Sequence, residues 1–264
     1  VAVDAMTDEL LALCQWYHWK TRGLFDATSG PLIKIWDFHR KHDVLPSKRD
    51  IEHARELVGW ANVDRSAGQV KLKQSGMILD FGGIGKEYAV DCLARMADES
   101  GIANILINLG RDIRGTGHPP EGGGWRIGLE RPDGTDRCWA GVCLDNLSIC
   151  CSGHYARCFY LNGVRYSHII NPLTGYPSSV DCDAVWVLSP SCVEAGILST
   201  TAALLEWKEA LRLISSEMGA SGCYWNKGGR YETRKFNAFI IRRERQADRF
   251  ASAIDDAACV GVAC

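Results

Sequence analysis

The chain has 264 residues, 46% of them hydrophobic and 23% charged, and a formal net charge of −2. That balance is ordinary for a globular protein that buries a core, and it leaves no electrostatic footprint for nucleic acid or an anionic membrane surface. No apolar run approaches the roughly 18–20 residues that cross a bilayer as a helix, and no signal peptide is visible.

The chain opens inside a helix, as a processed or trimmed form would. Over 7–22 the apolar residues Leu10, Leu11, Leu13, Cys14 and Tyr17 keep helical spacing, with Asp4 or Thr7 as cap and Gly23 as stop. A short second helix is expected over 31–36, where Pro31 suits a first turn. Ser47 opens a third, with Asp50 as a weak capping-box partner. Residues 63–73 read as a hairpin through Ser66-Ala67-Gly68, and 77–79 as a short strand that delivers Asp80 to a loop rich in glycine. A helix follows over 88–97. The middle of the chain reads as β-rich, with strands at 104–108, 125–129, 138–144, 147–151 and 164–170. After it come a buried strand at 184–188, helices over 193–205 and 208–218, a strand at 222–225, a turn at 228–230 and a charged helix or tail over 242–256. The pattern predicts an α/β (α+β) fold, one domain over 1–264 with a central β-layer and helices around it.

Twelve cysteines are many for this length. Only Cys150 and Cys151 are adjacent, and no pair has zinc-ribbon spacing. A chain with room for a core needs no disulfides, so mostly free, buried thiols are expected, Cys143 and Cys192 among them. Cys259 and Cys264 either pair or stay free. A cysteine-dependent metal or haem protein is a third functional class; the count motivates it and no spacing supports it.

Two stretches carry chemistry. In Asp80-Phe81-Gly82-Gly83-Ile84-Gly85-Lys86 the glycines let backbone groups approach a ligand, and Lys86 stands where a helix start already favours an anion. In Ser167-His168-Ile169-Ile170-Asn171-Pro172-Leu173-Thr174-Gly175-Tyr176-Pro177, a strand brings one imidazole to the mouth of a loop stiffened by two prolines. That placement suits a general base; a satisfied histidine at a strand end is the structural alternative.

This second stretch resembles the "SHIIDPxTGxP" signature of the ApbE family, the FAD-dependent protein FMN transferases. Three more stretches match in order. Gly23 to Leu32 with Trp36 is similar to "GaFDpTvGPLvnlW", Leu79 to Asp91 to "lDLgaiaKGyavD", and Asn108 to Ile113 to "NlGGdi". The likeness covers about residues 23–205, and an N-terminal part of the family domain is expected to be absent from this chain. The likeness further implies FAD contacts at Leu24, Phe25, Asp26, Asp80, Lys86, Thr174 and Gly175, and His168 as the catalytic base. Mg²⁺ would be held by the Gly83 carbonyl and by Ser199 and Thr200. For Asp26 and Phe25 a helix cap and a core residue are the alternative.

Four of the chain's departures from the family pattern change charge or ligand character near the implied site. Gly196 stands where relatives carry an Asp, four residues before Thr200, as a magnesium ligand. Glu87 stands where many have Gly, Arg111 where they have a second Gly, and His154 where they have an acid. Arg111 adds a cation near the implied ligand cleft; the alternative is a surface pair of Asp112 with Arg111 or Arg114. His154 is either a second imidazole at the site or an exposed side chain beside Tyr155.

The implied activity joins FMN through a phosphoester to a Thr or Ser of a flavin-accepting partner protein, releasing AMP. The alternative is a FAD-binding relative whose metal-dependent transfer is lost or altered. No nucleic-acid partner is expected, and membrane contact only through a partner or an absent N-terminal anchor. The family points to a periplasmic or membrane-associated site of action; the free cysteines leave the cytoplasm open.

Overall fold

Local sequence signals set the helix ends. In a computed structural model, which describes residues 1–38, 44–133, 135, 137–154, 157–243 and 260–262, the Asp4 carboxylate accepts the Thr7 N–H at 2.7 Å and caps α1 (Ala5–Lys20). α2 (Gly30–Trp36) carries Pro31 in its first turn. α3 (Lys48–Glu56) has the expected Ser47–Asp50 cap, with the Ser47 hydroxyl on the Asp50 carboxylate at 2.7 Å. The hairpin β1 (Val63–Ser66) and β2 (Gln69–Leu72) turns at Gly68. Residues 77–79 are not a strand: Ile78 makes one isolated bridge to Ser29, and no neighbouring ladder extends it.

α4 (Gly85–Glu99) starts earlier than its apolar spacing suggests, so Lys86 and Glu87 lie in its first turn. Then come β3 (Ile105–Leu109), β4 (Asp112–Thr116), β5 (Trp125–Glu130), β6 (Cys138–Leu144) and β7 (Leu147–Gly153). β8 (Cys158–Leu161) and β9 (Val164–Ser167) form a hairpin around Asn162-Gly163, both at positive φ. The strand expected over 164–170 stops at Ser167 because its partner runs out at Cys158. The remainder is β10 (Ala184–Ser189), α5 (Cys192–Ala202), α6 (Trp207–Ser216), β11 (Ser221–Asn226), β12 (Gly229–Glu232), β13 (Ile240–Arg243) and β14 (Val260–Val262). Of the charged segment expected over 242–256, Arg242 and Arg243 end β13; the rest, with Tyr155, Cys259 and Cys264, lies outside the described residues.

The chain packs as two compact units, Val1–Gly85 with Arg157–Val180, and Lys86–Ala156 with Asp181–Cys264. In the first, Leu32 and Trp36 of α2, Ile51 and Ala54 of α3, and Ile170 form the core, with Phe159 and Tyr166 packed against it. The Trp36 indole donates to the Gly175 carbonyl at 2.9 Å and so ties α2 to the loop after His168.

The second unit is built on an antiparallel six-stranded sheet in the order β12-β11-β10-β7-β4-β3. Ala184, Trp186 and Leu188 of central β10 join a core shared with β5 and β6 of a four-stranded sheet, ordered β13-β6-β5-β14. Alternation turns Val185 and Val187 to the opposite face, where α5 packs on β7 and β10. Every residue of β10 is therefore buried, which is why it reads as an unbroken apolar run. Helix, sheet and sheet form three layers, and α4 and α5 carry the polar residues described next. Nine of the described cysteines stand outside any disulfide, six of them buried.

Candidate functional site

Three stretches of the first unit converge. The Asp80 N–H donates to the Ala27 carbonyl at 2.8 Å, the Phe25 ring lies 3.7 Å from where a Gly83 Cβ would stand, and Leu173 covers Gly23. Asp26 is buried and satisfied: one carboxylate oxygen accepts from the Thr28 N–H at 2.8 Å and the Thr28 hydroxyl at 2.6 Å, and the other lies 3.0 Å from His18 Nδ1. Asp26 thus closes a turn ahead of α2, and Phe25 is core. Leu24 stays half-buried. Asp80 accepts the Gly82 N–H at 2.8 Å and folds its own loop.

The loop 171–177 is rigid for identifiable reasons. Asn171 receives the Gly175 N–H on its carbonyl at 2.8 Å and the Leu173 N–H on its side chain at 2.9 Å. Gly175 has φ +78, and a Cβ there would stand 3.0 Å from Ile51 and 3.3 Å from Leu32. It is a packing glycine, whereas Thr174 is exposed, its hydroxyl donating to the Asn171 carbonyl at 3.4 Å and accepting the Tyr176 N–H at 3.3 Å.

His168 sits at the stem of this loop. The Arg157 carbonyl accepts from both its backbone N–H and its Nδ1, each at 3.0 Å. That second bond places the ring proton on Nδ1 and leaves the Nε2 lone pair to accept one. Burial, partly offset by the bond to Arg157, holds the imidazole below the ordinary histidine range. A half-buried neutral imidazole with a fixed tautomer is what a general base needs.

The second unit holds another group. Lys86 Nζ donates to the Asp112 carboxylate, and Gly110, at φ +63, lies over the lysine stem. Burial opposes the ammonium charge, but the bond to Asp112 more than offsets it and raises the pKa. Asp112 therefore pairs with Lys86, not with an arginine. Arg114 instead reaches Asp91 at 2.8 Å, and Arg111 approaches Glu130 at 3.8 Å. Arg111 occupies the left-handed region, φ +76, which glycine adopts more readily.

On α5, the Ser199 hydroxyl donates to the Gly196 carbonyl at 3.0 Å, and Ser152 lies 2.8 Å from Ser199 and 3.0 Å from Thr200. His154 is buried, with Nε2 2.9 Å from the Ala203 carbonyl. The exposed reading of this residue is thereby corrected: a strand-end imidazole has found a helix-end carbonyl, and neither partner is visible from the other in sequence.

Two residues here were given no role by the sequence. Asp91 accepts from the Ser191 hydroxyl and from the Cys192 and Val193 N–H groups at 2.8–3.0 Å, besides Arg114. It is the anionic cap of α5, supplied by α4. Glu87, one turn earlier on the same face of α4, is buried to 6% exposure against Gly196. Burial, then the charge of Asp112, pushes its carboxyl up to about 7. Its Oε2 is buried without a hydrogen-bond partner. Among the described residues no three His, Cys, Asp or Glu side chains cluster as a metal cage. The oxygen donors of Glu87, Ser199 and Thr200 nonetheless have the chemistry that suits a hard cation such as Mg²⁺.

Solved structures with this architecture include ApbE proteins, flavin transferases among them. The ApbE protein of Thermotoga maritima superposes with a TM-score of 0.82 at 30% identity, covering 92% of this chain and 80% of that one. The flavin transferase ApbE of Vibrio cholerae does so at 0.79 and 27% identity, covering 90% and 78%. The sequence model of the ApbE family matches residues 1–225, through both units and starting before the first motif noted above, and the chain belongs to that family. Among curated relatives, the FAD:protein FMN transferase of Salmonella typhimurium is 29% identical over 232 residues, and that of Vibrio cholerae 32% over 183. The matches take in 84% and 68% of this chain but 66% and 55% of those proteins; the chain spans less than two thirds of their length.

Proposed function

We propose that the chain transfers FMN from FAD to a hydroxyl of a partner protein. The observation that carries this reading is His168. Its Nδ1–H is held by the Arg157 carbonyl, so Nε2 is the basic nitrogen, at the entrance of a loop whose Thr174 is exposed. In the proposed step Nε2 takes the proton of a Thr or Ser hydroxyl while that oxygen forms a bond to the phosphorus on the FMN side of FAD. The bond from that phosphorus to the bridging oxygen breaks, and AMP leaves with the electron pair. Lys86 offsets charge on the departing phosphate, where such reactions gain most. A bound Mg²⁺ would add to that neutralisation, held by the hydroxyls of Ser199 and Thr200. Leu24 and Thr174 offer surface for FAD; Phe25, Asp26, Asp80 and Gly175 act by shaping the turns that present it.

Gly196, Arg111 and His154, each a change toward positive charge from the family pattern, are what would favour a flavin binder that has given up transfer. Two of them lose their force: His154 is occupied by a carbonyl, and Arg111 leans toward Glu130.

The test is chromatography of FAD after incubation with the protein and Mg²⁺, with mass spectrometry of an added Thr-bearing flavoprotein acceptor. Release of AMP that falls about 10²–10⁴-fold in His168→Ala is expected, the usual contribution of a positioned base. FAD recovered intact in every case, or an undiminished His168→Ala, would overturn the reading.

A further inference from the structure

A glycine in the middle of a helix is unfavourable by roughly 1 kcal/mol against alanine, so Gly196 needs a reason. The reason is its neighbour. A Cβ at 196 would stand 2.5 Å from Glu87 Cγ and 3.0 Å from both its Cδ and Oε1. No side chain fits at 196 while Glu87 keeps its place. Conversely, Glu87 is buried only because α5 is notched there. The family pattern noted above has these two positions the other way round, small at 87 and acidic at 196.

We propose that the two positions have exchanged roles, and that Glu87, reaching across from α4, supplies the carboxylate ligand of a divalent cation that Gly196 does not. Three further observations support it. Oε2 of Glu87 is buried and without a hydrogen-bond partner, a costly state for a carboxylate oxygen unless something else is to fill it. Gly196 and Thr200 are four residues apart on one face of α5, and Ser199 Oγ already touches the Gly196 carbonyl, so the hydroxyls stand one turn from the notch. Asp91, four residues after Glu87 on α4, grips the first turn of α5 through three hydrogen bonds. That clasp fixes the register in which Glu87 meets Gly196. Lys86 does not neutralise Glu87 by direct contact; its ammonium is on Asp112.

This inference rests on the transfer reading only for the identity of the cation, and its test does not use turnover. Mn²⁺ serves as the probe, titrated into the protein with FAD present and followed by electron paramagnetic resonance of the free ion. The wild type is expected to take up Mn²⁺. Glu87→Gln, which keeps volume and leaves the notch filled, is expected to weaken uptake at least tenfold while its circular dichroism and melting stay native. Gly196→Ala is expected to do the same with the carboxylate still present, because the added methyl displaces it. The paired exchange Glu87→Gly with Gly196→Asp is expected to recover uptake to within a few-fold of wild type. Equal Mn²⁺ affinity in wild type and Glu87→Gln overturns the proposal, as does a wild type that takes up none. AMP release from FAD, assayed on the same samples, separates the two readings: release with a Glu87-independent ion removes this inference alone, and a Glu87-dependent ion without release removes the transfer reading alone.

Discussion

His168 shows how much one hydrogen bond decides. Without the Arg157 carbonyl on Nδ1 the ring would have two tautomers; with it, Nε2 is the nitrogen that keeps the free lone pair. Because burial lowers its pKa, the neutral form persists below pH 6.5, the ordinary histidine value. The acid limb of the kcat/KM profile for AMP release should therefore fall at a pH below 6.5. A limb above that value would remove His168 as the group responsible. The same shift bears on stability with a definite sign. Between 6.5 and the lower native pKa the unfolded chain binds the extra proton, so this residue's contribution is complete above 6.5 and is lost as pH falls through that window. Glu87 and Gly196 make a different point at the same scale. Each looks like a departure from the pattern when read alone, and each accounts for the other once they are seen packed together.

At the scale of elements, the packing of α4 against α5 depends on Asp91. One carboxylate caps a helix from outside, satisfying two N–H groups and a hydroxyl, and pairs with Arg114. Asp91→Ala removes all of these and leaves Arg114 with the Pro190 carbonyl but without its acidic partner. It should cost about 2–4 kcal/mol, the sum expected for a lost cap and a broken, partly buried pair. Urea unfolding measures it, with Asp91→Asn losing less because an amide oxygen still caps. A change within about 0.5 kcal/mol, the size of an ordinary surface substitution, would count against the clasp. The β3–β4 turn is an element-level conflict: Gly110 and Arg111 are both left-handed, and only the first is a residue suited to it.

At the scale of the molecule, the second unit is held by aromatic contact between its two sheets. Trp139 of β6 is fully buried, with ring centroids 5.4 Å from Trp186 and 5.6 Å from Trp225, and Arg230 lies over its face at 4.5 Å. Trp139→Ala opens the space between the sheets and should cost about 3–5 kcal/mol, as large-to-small changes of buried aromatics do. Loss of near-ultraviolet circular dichroism should accompany it, and retention of both stability and signal would show that the core is organised elsewhere. The helices and most strands of this unit were legible from apolar spacing, since β10 is a continuous run and α6 is amphipathic. β8 and β12 were not recognised, although Asn162-Gly163 and Gly228-Gly229 mark their turns, because four-residue strands with polar faces carry too little periodicity.

The sequence by itself determined the family, the order of the motifs and the loops that carry them. Those signals are local: a proline or glycine restricts or frees its own backbone, a capping side chain reaches three residues, and His168 lies beside the loop it serves. Tertiary structure decided what each polar group does. Asp26 closes a turn, Asp112 holds Lys86, His154 is buried on a carbonyl, and Glu87 fills the space left by Gly196. Each pairing depends on which side chains packing brings within about 3 Å, the reach of a hydrogen bond, and except for the Asp26 turn each joins residues far apart in the chain.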